Sequence, residues 1–162
     1  KDAEVKVRYG FLFMEHWQPG DAAGAFKDAL KLDPNNAQAR LGLAMATADG
    51  YEAEATEHIK KALEADPKLY QAYEIAARIA LEDNNPDKAT EEAKKALAIS
   101  PEAMDAMAVL ATVEMLDDKS GKEWFDKIFK MRKHTQCCSA FEIVCKPQIN
   151  LFDQIRNGSR ML

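Results

Sequence analysis

Three cysteines and three histidines are the side chains of this chain best suited to nucleophilic, redox or metal chemistry, and their spacing argues against it. Cys137, Cys138 and Cys145 follow His134 in the pattern H-x2-C-C-x6-C. A zinc site needs thiolates that converge on one ion, which C-x2-C spacing permits and adjacent cysteines resist. An odd number of cysteines with two side by side is not a disulfide framework either. The thiols therefore predict a reducing compartment, with the cytoplasm favoured, and no metal or other cofactor. His16 and His58 lie far away, one expected in a turn and the other on the outer side of a helix, both exposed. The acidic pairs Glu91–Glu92 and Asp117–Asp118 read as solvated faces or turn residues. No Gly-rich phosphate loop, no H-E-x-x-H and no Ser-His-Asp arrangement occurs. A redox thiol at Cys137 is the one enzymatic reading left, and the chain is expected not to be an enzyme.

The elements that would have to position such groups are better defined than the groups. The 162 residues are 47% hydrophobic and 30% charged, enough for one domain with a core. The net charge is −5, divided as −8 over residues 1–130 and +3 over residues 131–162. An acidic body repels phosphate backbones, so nucleic acid is not an expected partner. No apolar run approaches the roughly 20 residues that span a bilayer, so no membrane association is expected. No signal peptide is visible, and the start at Lys1 suggests a fragment or processed product.

Self-similarity organises the first 130 residues. GDAAGAFKDALKLDPNN (20–36), YEAEATEHIKKALEADPKL (51–69) and NPDKATEEAKKALAISPEA (85–103) align with one another. Their prolines, Pro34, Pro67 and Pro101, are 33 and 34 residues apart. An amphipathic segment precedes each block, and a fourth, MDAMAVLATVEMLDD, follows Pro101. The pattern predicts helix–turn–helix units. Antiparallel helices about 8–10 Å apart need small residues where they cross. Gly10, Ala22 and Ala29 serve the first unit, Ala44, Ala55 and Ala62 the second, Ala77, Ala89 and Ala96 the third. Tyr9, Phe13, Phe26, Leu30, Leu43, Ile59 and Leu63 are expected to fill the space between them. Each proline pushes the residue before it (Asp33, Asp66 or Ser100) out of the helical region. An irregular helical bundle would not keep this common period.

Small residues at the eighth, twentieth and twenty-seventh places, a large one at the twenty-fourth and proline at the thirty-second resemble the tetratricopeptide repeat, and bacterial members most of all. The resemblance implies an all-α fold, a right-handed α-α superhelix of three clear units (3–36, 37–69, 70–103). A degenerate fourth (104–130) and an irregular C-terminal tail (131–162) complete the expected organisation. Long bacterial proteins that join such repeats to a peptidase-like region are also similar, and any such activity would lie outside this chain. Some places depart from the family pattern. The second unit is one residue short near Gly50, and Trp17 stands where the turn usually has glycine. Lys6, Arg40, Tyr73 and Met107 replace the usual tryptophan. Glu123 occupies a small-residue place, so the last helix either slips register or caps the end.

In this family the first helix of each unit lines a concave groove, and its second, fifth, ninth and twelfth places face inward. That assigns a partner-binding groove to Val7, Phe11, Met14, Leu41, Met45, Gln71, Glu74 and Arg78. The Lys and Asn of the carboxylate-clamp subgroup are missing, which rejects chaperone-tail binding. An apolar, methionine-bearing trough suits an amphipathic helix or extended peptide. The competing reading packs Phe11, Leu41 and Met45 on one another as core, with Arg78 paired to Glu74 or Glu82 on the surface. The expected function is a protein-interaction scaffold. The alternatives are an architectural spacer or self-association through the terminal repeats. The tail from residue 131 caps the last repeat, folds into the groove, or is foreign sequence.

Overall fold

The computed structural model describes residues 2–48, 52–117 and 120–132, which carry eight α-helices. These are α1 (Asp2–Glu15), α2 (Pro19–Leu32), α3 (Ala37–Thr47) and α4 (Glu52–Ala65), then α5 (Tyr70–Glu82), α6 (Pro86–Ile99), α7 (Met104–Leu116) and α8 (Lys122–Arg132). The shortened turn at Gly50, the His134 and cysteine cluster and the tail from residue 133 lie outside the described residues. Among the described residues no helix is long and apolar enough to cross a membrane.

Local chemistry sets the helix ends. Asn36 and Asn85 stand before α3 and α6, and their side-chain oxygens accept from the backbone N–H of Ala39 at 2.9 Å and of Lys88 at 3.1 Å. Each satisfies a donor that the first turn leaves unpaired. Pro19 and Pro86 open α2 and α6, where a missing N–H costs nothing. Asp33 and Ser100 close those helices in extended conformation, as a following proline demands. The Asp33 and Asp66 carboxylates then accept from Asn35 N–H at 3.3 Å and Lys68 N–H at 3.0 Å across the proline turns.

Trp17 and Asn84 hold the same place in the turn between paired helices, and both adopt positive φ, 58° and 55°. The next residue then closes the helix end, Gln18 N–H on Phe13 C=O and Asn85 N–H on Ala80 C=O, each at 2.9 Å. Glycine or asparagine suits this place, whereas a tryptophan strains it by about 1 kcal/mol. Trp17 is also 70% exposed, so its ring recovers little through packing.

Packing follows the small-residue register. Gly10 is buried, and Ala22, Ala29, Ala44, Ala55, Ala62, Ala77, Ala89 and Ala96 are all fully buried at the helix crossings. Three core clusters lie along the stack, centred on Phe26, on Ile59 with Ile75, and on Ala93 with Val109. Phe26 is fully buried, and its ring lies between two glycines. A Cβ on Gly10 would come within 2.4 Å of it, and one on Gly42 within 2.2 Å. Tyr9, expected among the fillers, is instead 53% exposed, because among the described residues no helix packs against its side of α1.

In the last pair, Glu123 points to solvent and Gly121 takes the close approach to α7. Gly121 has φ of 57°, and a Cβ on it would lie 2.8 Å from the Ala111 carbonyl oxygen. Trp124 packs against the third core cluster and donates its indole N–H to Glu114 at 2.8 Å. Of the two expectations for this helix, a slipped register or an end cap, these contacts fit the slip, with Gly121 rather than residue 123 at the close approach.

Candidate functional site: the inner face of the first helices

Each helix packs on its chain neighbours. In addition α1 touches α3, α3 touches α5 and α5 touches α7. The first helices of the pairs thus form one continuous layer, and the second helices lie outside it. The eight residues assigned to a groove on this layer divide into two sets. Val7, Leu41 and Glu74, all at the fifth place of their helices, are buried at 7%, 3% and 8% exposure. Leu41 belongs to the core around Ile59 and Ile75, and Val7 to the core around Phe26. These two act as core, since their side chains are spent between helices. Phe11, Met14, Met45, Gln71 and Arg78 stay half-buried, with one side open. Phe11 stands edge-on to Phe26, with ring centroids 5.1 Å apart, so it supports the core from the layer of first helices.

Glu74 departs furthest from expectation. Its Oε1 accepts from the backbone N–H of Asp105 at 3.2 Å and of Ala106 at 3.3 Å, the first turn of α7. The residue before that helix, Ala103, has no side-chain oxygen to offer. Glu74 therefore caps α7 from the neighbouring helix pair. Burial, followed by the nearby Asp105 carboxylate, pushes its pKa up to about 7, against the two N–H bonds that favour the charged form. Burial also raises the Asp105 carboxyl, with Arg78 opposing. The Tyr70 hydroxyl is raised by burial, then by Glu74. Arg78 turns away to Glu82, Nε to Oε1 at 3.8 Å, rather than to Glu74. This cluster joins two helices.

Two other sequence expectations change. The His58 side chain is only 13% exposed, with Nε2 3.6 Å from Glu54. Burial and then the Arg40 charge lower its pKa, so the imidazole is held neutral. It faces the helix packing rather than solvent. Of the acidic pair expected on a solvated face only Glu91 is solvated: Lys95 bridges the two carboxylates at 2.8 and 3.0 Å, but the Glu92 side chain is 16% exposed. His16 is exposed at the end of the first helix, as expected.

Sequence reasoning missed a second concavity. A cleft of about 410 Å³ opens between α4 and α6, floored by Ile59, Leu63, Ala76 and Ile79, with Lys60 and Lys88 beside it. Its signal is Ala76, at a place where the second and fourth pairs carry Leu43 and Leu110. The shorter side chain there helps to open the cleft.

No family model matches the chain, and no curated protein matches it in sequence. Solved structures match its fold. PilF of Pseudomonas aeruginosa superposes with a TM-score of 0.72 at 18% identity, covering 95% of this chain and 71% of PilF. A crystal structure of MamA gives 0.67 at 20% identity, over 83% of this chain and 81% of MamA. YrrB, described as a TPR protein with an unusual peptide-binding site, gives 0.59 at 27% identity, over 67% of this chain and 56% of YrrB.

Proposed function

From the premise that the chain folds as a tetratricopeptide-repeat protein, we propose that it is a protein-interaction scaffold whose inner face receives a helix or an extended peptide. The carrying observation is that Met14, Met45 and Met115 lie half-buried along the layer of first helices, whereas Val7 and Leu41, the fifth-place residues of the first two pairs, are buried. Methionine adapts to partners of varied shape and leaves an apolar lining without rigid pockets. Phe11, Gln71 and Arg78 complete the lining, polar toward the third and fourth pairs. Val7, Leu41 and Glu74 act behind it by fixing the angle between successive helices. The peptide-binding site named for YrrB supports this class of partner.

The groove is tested by affinity capture from a lysate with the unmodified chain and with a Met14→Glu/Met45→Glu variant. Helicity is checked by circular dichroism. Met14 and Met45 also pack against the cores around Phe26 and Ile59, so retained helicity is required before a loss of capture is assigned to the inner face. A protein retained by the unmodified chain and lost with the variant places binding on the inner face. Equal retention sinks the groove and leaves the spacer reading.

A further inference from the structure

On the outer side of the stack, the junction between the second and third pairs is incompletely closed. There α4 packs more loosely on α5 than α2 does on α3 or α6 on α7. Ala76 of α5 stands where the second and fourth pairs carry Leu43 and Leu110, which are 1% and 5% exposed. Those leucines help to fill their junctions, whereas the shorter Ala76 helps to open the cleft of about 410 Å³ between α4 and α6. That volume is within the range of sites that take a ligand.

The floor of the cleft is aliphatic. Ile59 and Leu63 come from α4, Ala76 and Ile79 from α5, so it runs along about one turn of each helix. Helix interiors satisfy their own backbone groups, so the floor offers no free donor or acceptor. An extended strand gains no main-chain pairing there. A partner helix, which keeps its backbone bonds to itself, loses none.

The lips of the cleft are charged. Lys60 on α4 and Lys88 on α6 are exposed on opposite sides, and neither ammonium has an ion-pair partner among the described residues. Two carboxylates line the cleft as well. Lys95 holds Glu92 at 3.0 Å, whereas Glu64, one turn beyond Lys60, is unpaired among the described residues. Two unpaired cations therefore stand against one unpaired anion, in a chain whose net charge is −5. A positive surplus around an aliphatic floor selects carboxylates placed beside apolar side chains.

We propose that the α4–α6 cleft is a docking site for an acidic amphipathic helix of another protein, with its apolar side chains over Ala76 and its carboxylates toward Lys60 and Lys88. The cleft belongs to the outer layer of helices, so the inference does not depend on the inner-face reading.

The test is fluorescence anisotropy of a labelled synthetic helix added to the full chain. The probe carries leucines at i, i+4 spacing with glutamates beside them, and a twin has lysine for every glutamate. Long-range attraction to an acidic chain favours the lysine twin, so a preference for the acidic probe must come from a local site. The expected result is binding of the acidic probe that weakens about 10-fold or more in Ala76→Leu and in Lys60→Glu/Lys88→Glu. Leu43 and Leu110 show that the place accepts leucine, and both lysines are exposed, so both variants should keep their helicity. The Met14→Glu/Met45→Glu variant should bind the probe as the original does. No binding of the acidic probe at millimolar concentration, no preference over the twin, or undiminished binding by Ala76→Leu overturns the proposal. So does loss of the probe in the methionine variant, which gives the peptide to the inner face. Self-association in sedimentation that Ala76→Leu abolishes overturns it too, since that gives the cleft to a second copy.

Discussion

The junction of the first two helix pairs and that of the last two solve one packing problem with opposite chemistry. At the first, the fully buried ring of Phe26 fills the space between α1 and α3, and Gly10 and Gly42 vacate that space for it. The ring itself carries no ionisable group. At the second, the place equivalent to Phe26 is Ala93, and a buried carboxylate, Glu74, reaches the first turn of α7. A volume lock depends on shape and is indifferent to pH. A carboxylate tie depends on where its proton is. The comparison teaches that a repeat with one backbone register can carry junctions that respond to different conditions.

The largest expected effect tests the lock. Phe26→Ala empties the ring's volume between two glycines that cannot refill it, and should cost about 3–5 kcal/mol in urea unfolding. Less than about 1 kcal/mol would mean the helices collapse onto the gap and that shape does not hold this junction. Gly42→Ala attacks the lock from the other side. Its methyl would meet the ring inside contact distance, so a loss of about 1–3 kcal/mol is expected. Combined with Phe26→Leu the loss should shrink, as a double-mutant cycle would reveal.

The tie is tested by pH. The Glu74 carboxyl titrates at about 7 in the folded chain, above its ordinary value of 4.5. Its contribution is therefore fully present below the ordinary value, lost as pH rises through 7, and absent beyond. Unfolding should become easier over that window by an amount on the order of 1–3 kcal/mol. Glu74→Gln should flatten this part of the profile. His58, held neutral by burial and by Arg40, works in the opposite sense and destabilises the fold as acid charges it. A Glu74→Gln profile as steep as the original would remove Glu74 from the account. The smallest effect lies between the two junctions' chemistries, in the backbone. Trp17→Gly should raise stability by about 1 kcal/mol, since it relieves a positive φ at an exposed site. A loss instead would mean that the indole makes a contact worth more than the strain.

What was legible in the sequence is what repeats. The crossing alanines and the proline turns recur in register, and periodicity exposes any feature that recurs. The helix pairs follow from them. The features that set one junction apart occur once, and a single occurrence has no period. Glu74 was placed on the inner layer by its spacing, but its bonds span 31 and 32 residues. Two signals pointed to it without being joined: a carboxylate at a place otherwise holding Val7 and Leu41, and Ala103 before α7 where a capping side chain belongs. Gly42 was equally readable, since a glycine inside a helix costs about 1 kcal/mol relative to alanine and calls for a reason. Tyr9 was misplaced because register arguments assume a neighbour on both sides.

The ring of Phe26 also constrains how this chain can change over generations. Positions 10, 26 and 42 come from three different helices, yet they share one fixed volume. A larger residue at 10 or 42 is compatible only with a smaller one at 26, and the reverse change leaves a void. Among related sequences these three positions should substitute together.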